Sequence, residues 1–144
     1  MNSARPTLPT LASLFLARLD PISGRLDYCS AGHPPALLLR ANGELESLSQ
    51  GGLLLGVLPA AAYVSESVEF GHGDVLLVYS DGLIESVNET GEEFGIARLQ
   101  EHLRQMHTAS ADAMLFSLLG AVQDFAATCS LVDDMSLVIV GHGQ

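Results

Sequence analysis

Two acidic pairs stand where this sequence could do chemistry. Asp81-Gly82 closes the apolar run Val75-Leu76-Leu77-Val78-Tyr79-Ser80, and Asp133-Asp134 opens the run Met135-Ser136-Leu137-Val138-Ile139-Val140. Carboxylates crowded at the ends of core strands repel one another and lose hydration, which a bound cation, hydrogen-bond donors or protons must offset. Oxygen ligands without a Cys/His cluster suit Mg²⁺ or Mn²⁺ rather than zinc. Two such ions would activate water and clamp the oxygens of a phosphoryl group, the metal-assisted route to hydrolysis, with no Ser or Cys nucleophile required. Each pair alone also fits a turn or a solvated loop, because Asp and Gly are favoured where a strand reverses. The metal reading therefore requires the two strands to be neighbours.

The elements that must position these residues follow from hydrophobic pattern and turn chemistry. Leu14 to Leu19, Arg25 to Ala31, Ala36 to Arg40 and Glu44 to Leu48 are short apolar-rich segments. They are separated by Asp20-Pro21-Ile22-Ser23-Gly24, Gly32-His33-Pro34-Pro35 and Asn42-Gly43, so they predict an antiparallel meander. Asn42-Gly43 predicts a tight hairpin turn, because both residues tolerate positive φ. Tyr63 to Phe70 alternates, with Val64, Val68 and Phe70 on one face, and predicts a half-exposed strand. Val75 to Ser80 is continuously apolar and predicts a strand buried on both faces.

Ile96, Leu99, Leu103 and Met106 recur at helical spacing. After a predicted N-cap at Ser110 so do Met114, Leu115, Leu118, Leu119, Val122, Phe125 and Ala126. Two consecutive helices covering one face of a mostly antiparallel sheet, with Met135 to Val140 returning as a central strand, give an α+β fold. We expect residues 1–144 to form one domain, burying roughly two-thirds of the surface of the unfolded chain.

Composition narrows the partners. With 6 Lys+Arg against 17 Asp+Glu, the net charge of −11 repels phosphate backbones and anionic lipid, arguing against nucleic acid and membrane. No apolar stretch reaches the length of about 18 residues that spans a bilayer. Met1 to Asp20 imitates a signal peptide only faintly, since Pro6, Pro9, Arg18 and Asp20 spoil the pattern. Cys29 and Cys129 read as small buried hydrophobes rather than a disulfide framework, which fits a cytoplasmic location. His33 reads as fixing the turn after a core strand, and Arg18, Arg25 and Arg40 as solvated.

The ordered series Leu19-Asp20-Pro21, Gly24-Arg25-Leu26-Asp27-Tyr28, Ala31-Gly32-His33-Pro34-Pro35, Leu55-Gly56-Val57, Gly73-Asp74, Tyr79-Ser80-Asp81-Gly82-Leu83-Ile84-Glu85, Phe94-Gly95 and Asp133-Asp134-Met135-Ser136 runs along nearly the whole chain. It resembles the bacterial SpoIIE/RsbU-like branch of the metal-dependent PPM (protein phosphatase 2C-like) protein phosphatases, over about residues 14–140. The resemblance implies part of an α-β-β-α sandwich and a Mn²⁺ or Mg²⁺ two-metal centre. That centre hydrolyses phosphoserine or phosphothreonine on a regulatory protein, typically a phosphorylated STAS-type anti-anti-sigma factor in bacterial signal transduction. By motif, Asp81 and Asp133 would be metal ligands, with Gly82 permitting close approach and Asp134 in the supporting position.

The family's first half, which carries a Gly-Asp-x-x-Asp-like and an Asp-Val-x-Gly-His-Gly segment, has no counterpart before Leu14. The expectation is a C-terminal portion of the catalytic domain with an incomplete metal centre, inactive alone and prone to self-association through uncovered strand edges. The alternative is a non-catalytic partner-switching module derived from the same fold. Gly71-His72-Gly73 and Gly141-His142-Gly143 are read as structural rather than as the missing Gly-His-Gly motif.

Overall fold

The computed structural model describes residues 10–127, 129 and 134–143; the start of the lead-in segment, residues 1–9, and Asp133 lie outside them. Among the described residues eight strands and three helices follow one another: β1 (Leu14–Leu19), β2 (Arg25–Ala31), β3 (Ala36–Leu39), β4 (Leu45–Leu48), β5 (Gly51–Gly52), β6 (Glu66–Glu69), β7 (Val75–Tyr79), α1 (Asp81–Ile84), α2 (Gly95–Gln105), α3 (Ala111–Ala126) and β8 (Leu137–Gly141). One sheet has β2 pairing with β1 and β6 antiparallel and with the short β5 in parallel; the other runs β4-β3-β7-β8, antiparallel throughout. The fold class is therefore α+β as expected, with strands, turns and helices close to their predicted places.

Alternation along β3 and β7 divides the interior into two cores. Leu37, Leu39, Val75, Leu77 and Tyr79 face α2 and α3, where Leu99, Leu103, Met114, Leu118 and Val122 meet them. Ala36, Leu38 and Leu76 face the first sheet, packing on Leu26, Tyr28 and Phe70. All four residues of β3 are buried, which is why that strand reads as an unbroken apolar run. Ser110 caps α3 as predicted, its Oγ accepting from the Ala113 N–H at 3.2 Å.

Several expectations need correction. The predicted meander is broken after β2, because the chain crosses from one sheet to the other over Gly32-His33-Pro34-Pro35, and β3 buries both faces instead of continuing the first sheet. The hairpin turn between β3 and β4 has positive φ only at Gly43 (93°), with Asn42 contributing its side chain, whose Oδ1 accepts from the Glu44 N–H at 2.9 Å. That is the three-residue loop with a left-handed glycine, not the two-residue turn. The last strand is not central: among the described residues β8 pairs only with β7, and its Val138 is 57% exposed. In register, Val138 and Val140 continue the face of Val78 and Leu76 beyond the cover of the first sheet. Val64 is likewise exposed, outside β6.

Arg40 is not solvated. Its Nη1 donates to Asp74 Oδ2 at 2.8 Å, while Asp74, 5% exposed, also accepts from the N–H groups of Gly71 and Ala41 at 2.8 and 2.9 Å. This carboxylate ties the β6–β7 turn to the end of β3. The two Gly-His-Gly segments meet beside it, extending the β7–β8 ladder: the Gly73 N–H donates to the His142 carbonyl, and the His142 N–H donates to that of Asp74.

Asp74→Ala should destabilise the fold by about 1–3 kcal/mol in urea unfolding, because it removes the acceptor of two amides and one of the two carboxylate partners of the half-buried Arg40. The half-buried Asp27 makes a pH-dependent contribution instead. Hydrogen bonds from Ser67, then Arg25 and Arg18, hold its carboxyl near pKa 2, below its ordinary 3.8. The stabilisation is present above pH 3.8 and disappears as pH falls through about 2, which a carboxyl carbon NMR titration of Asp27 will read as its midpoint.

Candidate metal centre at the β7–β8 strand ends

The β7–β8 ladder ends on the pair Tyr79 and Leu137, so the chain leaving β7 and the chain entering β8 emerge side by side. Ser80 fastens them together. Its N–H donates to the Ser136 carbonyl at 2.9 Å, its Oγ accepts from the Ser136 N–H at 2.8 Å, and the same hydroxyl donates to the Asp134 carbonyl at 3.4 Å. Although Ser80 is the N-cap of α1, its side chain makes no capping bond there. The hydroxyl serves the neighbouring strand instead.

Immediately after this clasp, α1 turns Asp81 to the surface and Gly82 inward. Gly82 lies against the main chain of Asp134 and Met135; a methyl group at position 82 would collide with the Asp134 carbonyl. The absence of a side chain is thus a condition of the close approach. Behind it, the buried Ser86 hydroxyl donates to the Gly82 carbonyl at 2.8 Å, closing the turn.

The end of β7 is fixed from the other sheet as well. His33 Nε2 is 3.0 Å from the Tyr79 carbonyl, and Nδ1 is 3.0 Å from Ser13 Oγ. A carbonyl only accepts, so Nε2 carries a hydrogen, and in the neutral ring Nδ1 accepts from the Ser13 hydroxyl. His33 thereby performs the turn-fixing role expected of it. Burial, and secondarily the Asp81 carboxylate, push the Tyr79 phenol up to about 12, so it stays neutral beside the site.

Of the predicted site residues, Asp81, Gly82 and Asp134 are gathered at one junction; Asp133 adjoins it in sequence but lies outside the described residues. Asp81 and Asp134 are exposed at the rim, not sunk into the core, so the desolvation anticipated from their apolar neighbours is small. Among the described residues no three His, Cys, Asp or Glu side chains form a ready-made cage. Rim carboxylates with open solvent on one side nevertheless fit Mg²⁺ or Mn²⁺ in kind, since Mg²⁺ characteristically keeps several waters and takes only one or two carboxylates. Ser80 was the residue missed by sequence reasoning. Its signal was a hydroxyl at a strand's last position, facing a second Ser at the matching place before β8.

Comparison with known proteins agrees with this geometry. A family profile described as Stage II sporulation protein E (SpoIIE) matches residues 2–143. Protein IcfG of Synechocystis sp. is 31% identical over 103 residues, covering 72% of this chain and 16% of that protein. The RsbU and RsbW domains of Rv1364c from Mycobacterium tuberculosis superimpose with a TM-score of 0.74 at 27% identity, over 88% of this chain and 35% of that one. The manganese-presoaked phosphatase domain of SpoIIE from Bacillus subtilis gives 0.69 at 18% identity, over 91% of this chain and 56% of that one, a likeness of fold. The chain thus spans only part of each relative's length.

Two substitutions test the junction. Gly82→Ala should cost about 1–3 kcal/mol through forced overpacking, and Ser80→Ala about 1 kcal/mol through its lost hydrogen bonds. Urea unfolding measures both, and the amide NMR resonances of Asp134 and Ser136 should move in each variant while those of α3 stay in place.

Proposed function

The chain belongs to the SpoIIE family of PP2C-type phosphatase domains, and on that premise we propose that it forms the C-terminal portion of the catalytic domain of a Mn²⁺- or Mg²⁺-dependent protein serine/threonine phosphatase. The observation that carries this reading is the contact of Gly82 with the Asp134 backbone, which brings the two acidic strand ends to one place. In the proposed centre Asp81 and Asp133 donate carboxylate oxygens to the cation, Asp134 supports them, and Gly82 leaves room for the approach. The cation, when bound, polarises a phosphoryl oxygen and activates water.

The chain's own residues set that geometry. Ser80 holds the second acidic segment against the first, and His33 pins the last carbonyl of β7 so that Asp81 projects from a fixed point. On this reading the further carboxylates lie upstream in a longer product or come from another chain, so the 144-residue chain alone is expected to be inactive. The substrate we favour is a phosphorylated regulatory protein, a STAS-type anti-anti-sigma factor, acted on in the cytoplasm; the likeness to RsbU domains supports it. Among the described residues no helix is long and apolar enough to cross a membrane. Exposed Leu14 and Leu16 on β1, with Val138 on β8, support self-association through uncovered sheet surface.

Calorimetry and p-nitrophenyl phosphate hydrolysis test the assignment. The 144-residue chain should bind Mn²⁺ weakly and turn over barely, whereas a protein extended upstream to include the remaining acidic motifs should hydrolyse the ester in Mn²⁺ and lose at least a hundredfold in rate on Asp81→Asn, roughly the loss of a few kcal/mol of transition-state stabilisation. Strong turnover by the short chain would refute the partial-domain reading. Absence of metal binding in the extended protein would favour the non-catalytic partner-switching module.

A further inference from the structure

Asp81 also borders a cavity of about 480 Å³. Its walls include His33, Pro34, Pro35, Ile84 and Ile96, and Asp81 stands in its lining. We infer that this cavity is the specificity pocket of the phosphatase site, receiving an apolar side chain next to the phosphorylated residue of a peptide substrate; the inference rests on the functional reading above and adds to it what the substrate must look like.

Four features carry it. The volume falls within the range of about 300–1,000 Å³ typical of ligand pockets, more than one aliphatic side chain requires. Asp81 is the one carboxylate in the lining and the rest of the wall is apolar or neutral, so the pocket favours an uncharged guest over one whose charge would lose its hydration there. The walls are stiff: two prolines follow one another, and both ring nitrogens of His33 are engaged, to Tyr79 and Ser13, so the cavity is formed before anything enters it. Ile96 belongs by helical spacing with Leu99 and Leu103, yet it is 40% exposed and turned to the pocket, while those two are buried. An apolar guest would remove that surface from water. Because the pocket and Asp81 are continuous, a side chain held in it leaves the neighbouring phosphoryl group at the proposed metal centre.

Fluorescence anisotropy with the 144-residue chain in Mn²⁺ tests this, using fluorescein-labelled nonapeptides with a central phosphoserine and Leu, Ala or Asp at one flanking position at a time, each also made without phosphate. At one flanking position Leu should bind about tenfold more tightly than Ala, the worth of burying a leucine side chain, and Asp more weakly still. Ile96→Gln and Ile96→Ala should erase the Leu-over-Ala ratio, with circular dichroism confirming the fold, while Phe116→Glu, on an exposed position of α3, leaves the ratio intact. Equal binding of the Leu and Ala peptides, no measurable binding of any peptide, or a ratio that survives both Ile96 variants overturns the pocket. So does a dimer in sedimentation that Ile96→Gln dissolves without any peptide preference, since a second copy would then be the occupant. Phosphorylated and unphosphorylated peptides binding equally, with the Leu ratio retained, would sustain the pocket, since the incomplete metal centre of the short chain adds little to affinity.

Discussion

The architecture of the site depends on one interlock, the exchange of hydrogen bonds between Ser80 and Ser136 at the end of the β7–β8 ladder. Antiparallel pairing brings two strand ends together but leaves the chains beyond them free to splay. Here the last backbone bond is reinforced by a side chain that accepts from one residue of the partner segment and donates to another two positions away. With the segments so fastened, Gly82 can lie directly on the Asp134 backbone, and the acidic residues on either side are held within one small region although they are more than fifty positions apart in sequence.

The remaining structure supports that junction from two directions. The helices α2 and α3 pack on one face of β3 and β7, and the first sheet packs on the other, so the strand that delivers Asp81 is gripped through both cores. His33 adds a polar tie from the crossover that joins the two sheets. The same crossover supplies Pro34 and Pro35 to the cavity beside Asp81, so one four-residue connection positions the strand end and walls the adjoining pocket.

Much of this was legible in the residues, because the informative signals were local. A strand buried on both faces shows as a continuous apolar run, and β7 did. A helix start shows in its cap, as at Ser110. What escaped notice was decided at long range. Nothing near Arg40 reveals that its partner is Asp74, thirty-four positions away. The sheet change after Ala31 is encoded only in β3 being apolar at every position, which a meander strand also tolerates when short. The two Gly-His-Gly segments looked incidental until pairing laid them together. The acidic pairs themselves were legible as candidates, but the exposure of Asp81 and Asp134 was not, since apolar neighbours in sequence say little about which way the chain turns after a strand ends.

The two arms of the junction are anchored unequally. Asp81 follows an interior strand, whereas Asp134 precedes a strand that, among the described residues, is paired on one flank. Fraying begins at edges, where fewer contacts must be broken to open a segment. Warming would therefore loosen the second arm while the first still stands on intact packing, so the junction would open at a temperature below that at which the domain melts, and the contact of Gly82 with the Asp134 backbone would be lost before helical structure.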